Sequence, residues 1–172
     1  NTAAGGAGDA VLRNITTGDG GTITVSTTGV TALPPAGNTT GGSITDAGGV
    51  FNLNVGTGSV ILLTPTTGSS SVGSAVSPLD TTAGMTSVTA RSGSGGIFIN
   101  ETDGARFNVA AGGGGPVVIN STTGTIDIAV LDTTGSASVG ASGAGGGITQ
   151  SGAISVGGTS TLSAGANTIT LT

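Results

Sequence analysis

The sequence predicts an all-β chain wound as a right-handed parallel β-helix, and three observations carry that expectation. Short runs with apolar residues at i and i+2 recur from end to end, which is the period of a strand with one buried face. Glycine, 36 of 172 residues, falls between those runs together with Ser, Asn, Asp and Thr, where chain reversals need turn residues. The chain also repeats its own layout at spacings near 20 residues, the length of one solenoid coil.

The elements follow in order. VLRNI at 11–15 and TITV at 22–25 flank a turn built from TTG and DGG. VFNLNV at 50–55 alternates Phe51, Leu53 and Val55 with asparagines, and SVILL at 59–63 follows a Gly-Thr-Gly turn. MTSVTA at 85–90, GIFIN at 96–100 and RFNVA at 106–110 continue the alternation, with Ile97, Ile99, Phe107 and Val109 on the apolar side. PVVIN at 116–120 and TIDIAVL at 125–131 come next, then AISV at 153–156, STLS at 160–163 and NTITL at 167–171. TTG separates runs at 16–18, 27–29, 66–68, 122–124 and 133–135. No window carries the i, i+3, i+4, i+7 apolar pattern of a helix. The side chains are too small, and the aromatics too few, for the core of an ordinary sandwich.

GGSITDAGGVFNLNV, SGGIFINETDGARFNV and GAGGGITQSGAISVG share one layout, a glycine pair, an Ile run, a polar turn and a second apolar run. Their opening isoleucines are Ile44, Ile97 and Ile148, and Ile23 precedes Ile44 by about one coil. The expectation is a single domain over 1–172 with loop insertions near 31–42 (around TALPPAGN) and 64–82. About eight coils stacked at ~4.8 Å make a rod near ~40 Å. The predicted inward row is Ile23, Val25, Ile44, Phe51, Leu53, Ile97, Ile99, Phe107, Val109, Val118, Ile126, Ile128, Ile154, Ile169 and Leu171. Both ends of such a rod are open edges, so the expected partners are flanking repeats or further copies stacked end to end. The chain starts at Asn1 rather than Met and reads as a processed or internal piece of a longer precursor.

Composition removes many functions. The chain has no cysteine, histidine, lysine, tryptophan or tyrosine, so thiol and imidazole chemistry and transition-metal ligation are unavailable. Only three arginines stand against eight acids, a net charge of −5 that excludes a phosphate-backbone binder. Charged residues amount to 6%, and solubility rests instead on 31 Thr and 19 Ser, a β-branched and hydroxyl-rich surface. No apolar run approaches the roughly 20 residues of a membrane-spanning helix. Cofactors are expected to be none.

At GGTITV, GGSITDAGG, TGTIDIAV and GGGITQSGAISV the sequence resembles the filamentous-haemagglutinin-like and autotransporter-type β-solenoid exoproteins of Gram-negative bacteria. The likeness covers most of residues 20–172. It implies an exported rod at the cell surface, used for adhesion, aggregation or biofilm matrix, with surface glycans or proteins as further partners. A self-assembling subunit of an extracellular filament is the alternative. A polysaccharide-cleaving β-helix enzyme is a distant third.

Four kinds of site compete with plain structural roles. Gly18-Asp19-Gly20-Gly21 and Asp103-Gly104 approach a calcium-binding solenoid repeat, but neither recurs, so both read as turns. Glu101 and Asp103, with Arg106 and Arg91 near them, form the one charge cluster. On a strand the two acids would share a face at roughly 6–7 Å, but NETDG reads first as a solvated turn with an Arg106 ion pair, and no catalytic residue is assigned. Asp127 and Asp132 read as surface acids that discourage lateral aggregation. Asn14, Asn38, Asn100 and Asn120 head glycosylation sequons, about the number that nine asparagines give by chance here. Thr22–Thr24 (TIT) and TITLT at 168–172 resemble the rows of an ice-binding face, but no such triplet recurs coil after coil.

Overall fold

A computed structural model describes residues 8–28, 41–48, 52–82 and 84–172. Among the described residues there is no helix, and every strand pairing is parallel. The chain order displays the coil directly. β1 (Ala10–Leu12) and β2 (Ile15–Thr16) lead to β3 (Thr22–Ser26), then β4 (Ile44–Asp46) and β5 (Leu53–Asn54) lead to β6 (Ser59–Leu63). β7 (Ser71–Val72) and β8 (Leu79–Asp80) lead to β9 (Ser87–Ser92). From there each coil has one strand per face: β10 (Gly96–Glu101) with β11 (Arg106–Ala111), and β12 (Val117–Ser121) with β13 (Thr125–Thr133). β14 (Ala137–Gly140) with β15 (Gly147–Val156), and β16 (Ser160–Ser163) with β17 (Ile169–Thr170), complete the order.

The first face stacks β1-β4-β7-β10-β12-β14-β16, and the second stacks β3-β6-β9-β11-β13-β15-β17. The result is a parallel β-solenoid whose regular part has about 4 turns at about 22-residue spacing. Three longer coils precede it, since Ala10 pairs with Ile44, Ile44 with Val72 and Val72 with Ile97. Among the described residues the stacking path is seven strands deep on each face, against about eight coils expected, a stack of about 30 Å at the usual strand spacing. In the long coils the first face is broken in two. β10 heals the break, because its first half pairs with β7 and its second half with β8. The stretch 64–82, read as an insertion, therefore carries two strand halves around a 73–78 loop. The stretch 31–40 lies outside the described residues.

Inward columns run through both faces. On the second, Ile23, Val60, Val88, Phe107 and Ile128 stack in register, and beside them Val25, Leu62, Ala90, Val109 and Leu131. On the first, Ile44, Val72, Ile97, Val117 and Ala137 form one column and Leu79, Ile99, Ile119 and Val139 the next. All of these are buried. Ile126 and Leu53 are buried too, while Phe51 lies outside the described residues.

One position in the expected inward row faces the other way, and two more are exposed. Val118 faces outward, because Val117 and Ile119 take the inward positions of β12. Ile169 is 40% and Leu171 52% exposed, although Ile169 continues the column of Ile126 and Ile148. Ile154, paired with the buried Leu131, is only half-buried. The matched isoleucines also differ in face: Ile44 and Ile97 share a column of the first, whereas Ile148 and Ile23 lie on the second.

The turn between β12 and β13 shows why glycine is needed at a coil corner. Gly124 has φ +73°, and a Cβ there would stand 1.5 Å from the Asp103 carbonyl oxygen of the preceding coil. Gly124→Ala is expected to lower stability by about 3 kcal/mol, read as a lower denaturation midpoint with an unchanged slope. An unchanged midpoint would mean that the corner is not packed this way.

Candidate functional site

Where β8, β10, β12 and β14 end, the first face repeats a three-residue pattern every 20 residues. The rungs are Asp80-Thr81-Thr82, Asn100-Glu101-Thr102, Asn120-Ser121-Thr122 and Gly140-Ala141-Ser142. Strand alternation points the first residue of each rung outward and the second inward.

The outward column is an amide ladder. Asn120 Nδ2 donates to Asn100 Oδ1 at 3.4 Å, and Asn100 Nδ2 donates to Asp80 Oδ1 at 3.2 Å. One coil earlier, Asn52 Oδ1 accepts from the Asp80 N–H at 2.8 Å while Asn52 Nδ2 donates to Asp46 Oδ1 at 2.6 Å. The ladder stops at Gly140, which has no side chain and lies beneath the Asn120 amide oxygen.

The inward column holds Thr81, Glu101, Ser121 and Ala141, all buried. Glu101 is 2% exposed, so it is not part of a solvated turn; β10 runs on through it and carries it into the interior. The Thr81 hydroxyl donates to its carboxyl group, and the Asp103 N–H donates to Oε1 at 3.3 Å. Burial pushes the Glu101 carboxyl up to about 7, against the pull of these hydrogen bonds, and the Asp103 charge adds to the rise.

The third column is made of hydroxyls tied to the rung before. Thr102 Oγ1 donates to the Thr81 carbonyl and Thr122 Oγ1 to the Thr102 carbonyl, each at 2.8 Å. Together the columns line a groove of about 540 Å³, with Asp80, Asn100 and Asn120 along it and Ser142 and Gly143 at its far end.

The charge cluster seen in the sequence does not converge. Glu101 points inward, and Asp103 lies past the strand end, where both its carboxylate oxygens accept from the Gly84 N–H at 2.9 Å. Arg106 sits on the outward side of β11 and pairs with Asp127 at 3.5 Å, not with Glu101 or Asp103. Asp127 also accepts from Ser151 at 2.7 Å, which ties β13 to β15, and Asp132 is exposed. Arg91, on β9, donates to the carbonyl and side-chain oxygens of Asn108, both at 2.9 Å. Asp19 packs over Gly56 of the next coil, and among the described residues no three acids gather as a metal site.

Asn14 and Asn120 are exposed, Asn100 is half-buried in the ladder, and Asn38 lies outside the described residues. The outward column of Thr24 reads Ile61, Thr89, Asn108 and Val130 in the following coils, so TIT does not extend into a threonine array. Sequence reasoning missed Asp80 and the ladder role of Asn120. The signal was present as N-x-T at 100–102 and 120–122, with Asp80 another 20 residues upstream.

A family model described as Repeats of unknown function (DUF5649) matches residues 114–172, the stretch that carries β12 to β17. No curated protein and no solved structure matches the chain.

Proposed function

We propose that the chain is a segment of an extracellular structural rod in a bacterial surface protein, serving adhesion, aggregation or matrix building without catalysis. The observation that carries this reading is the stack itself: parallel coils whose inward apolar columns pass from coil to coil on both faces, so that stability is spread along an axis as in a rod. The filamentous-haemagglutinin-like texture of the repeats supports export. So does an outer surface that stays soluble through Thr and Ser rather than charge.

The same parallel stacking supports a second reading, a subunit that assembles end to end with its own copies into a filament, since coils that stack within one chain can also stack between chains. Heterologous contacts of that kind generate open fibres when the rotation does not close.

Display at the surface is tested by labelling intact cells with an antibody against residues 114–172, before and after protease treatment from outside. Labelling of intact cells that the protease removes is expected. Labelling that appears only after lysis overturns the reading.

A further inference from the structure

The groove over the amide ladder has properties that a spacer does not need. Its lining holds Asp80 and Glu101 as ionisable groups and no arginine, so it disfavours anionic ligands. Its exposed groups are mixed in sense. Asn100 and Asn120 each give one amide hydrogen to the rung before, which leaves the other hydrogen to donate. No described residue donates to the Asn120 amide oxygen, which stands over the notch at Gly140. Thr102 and Thr122 spend their hydroxyl hydrogens on carbonyls, so toward a ligand their oxygens only accept.

The groove thus offers both donors and acceptors, held in place by the fold, which lowers the entropy lost on binding. The matching chemistry is a row of hydroxyls, each of which both donates and accepts. The rung repeat of about 4.8 Å is close to the length of one pyranose unit, and longer than the ~3.3 Å step of an extended peptide. From Asp80 to Gly140 the rungs cover about 14 Å, the reach of a short oligosaccharide.

We propose that this groove binds a neutral, hydroxyl-rich glycan strand laid along the rod axis, contacted by Asp80, Asn100 and Asn120. No aromatic ring lines the groove, so binding rests on hydrogen bonds, is weak per sugar and builds with length. The site does not depend on where the rod is displayed.

The test follows the side-chain amide signals of Asn100 and Asn120 by NMR. The titrants are cellotriose, maltotriose and chitotriose, their mono- and disaccharides, and trigalacturonate as the anionic comparison. At least one neutral trisaccharide is expected to shift both signals saturably, more tightly than its shorter forms, while trigalacturonate does not. Asn120→Leu is expected to weaken that binding about tenfold. Asn108→Leu, a matched change on the opposite face with its own melting curve as a folding control, is expected to leave it unchanged. The proposal is overturned if no neutral trisaccharide shifts the Asn100 and Asn120 signals, if trigalacturonate binds as tightly, or if Asn120→Leu binds like the unaltered chain.

Discussion

Ile128→Asp is expected to yield no folded protein. Ile128 is 1% exposed and stacks directly on Phe107 in the column that continues back to Val88 and Val60. The register slips by one residue just after the Phe107–Ile128 pair, so this rung already sits at an irregularity in the ladder. A carboxylate placed there stands between Phe107 on one side and, on the other, Gln150, whose side-chain amide already donates to the Gly152 carbonyl, and burying an unpaired charge costs several kcal/mol or forces protonation. Total stabilities of about 5–15 kcal/mol leave little room for such a loss, and in a stack it also severs the coils on either side. Ile128→Val, which keeps the shape, is expected to cost only about 1 kcal/mol. Circular dichroism and a melting curve decide the matter. A soluble, β-rich Ile128→Asp chain with unchanged melting would place Ile128 outside the interior.

Glu101→Gln is expected to raise the melting temperature at pH 8 and to leave it nearly unchanged at pH 4. The Glu101 carboxyl lies at about 7 in the folded chain against an ordinary 4.5, because burial disfavours its charge. Below pH 4.5 it is protonated in both folded and unfolded states, and the folded state keeps its full advantage. Between pH 4.5 and 7 the unfolded chain gives up the proton first, so stability falls as pH rises, and it levels off once both states are ionised. The total loss is about 3 kcal/mol. Glutamine still accepts from Thr81 but cannot ionise, so the variant escapes the loss. The expected gain at pH 8 is roughly 5–10 °C. Parallel melting curves for the two chains across pH 4 to 8 would show that Glu101 is solvated.

Much of the interior was legible because strand alternation has only two phases. At Phe107 and Val109, or Ile126 and Ile128, polar residues (Arg106 and Asn108, Thr125 and Asp127) occupy the other phase and settle which side is buried. Val118 shows the limit. PVVIN carries apolar residues in both phases, and the better guide was Asn120, which cannot share an inward face without a partner. The face of each run was not legible, since both faces use the same small β-branched residues and the same glycine turns. Ile44, Ile97 and Ile148 therefore look equivalent while lying on different sheets.

Glu101 was hidden for the opposite reason. NETDG has the composition of a turn, yet the strand pairing of β10 with β12 extends to Glu101 and Ser121 before the chain bends. The groove was half visible, since N-x-T recurs at a 20-residue spacing. What the sequence did not show is that this spacing equals the coil length of that face and stacks the amides into one column.

The central claim is that these coils form part of a rod that continues along its stacking axis. It is tested most directly by negative-stain microscopy of native, unconcentrated material, with intact mass measured on the same sample. Thin rods of uniform width are predicted. If the rods are built from a chain of 172 residues, the chain is a polymerising subunit; if from a much larger chain, it is a segment of a longer rod. Compact particles with no long axis, at either mass, would contradict the claim.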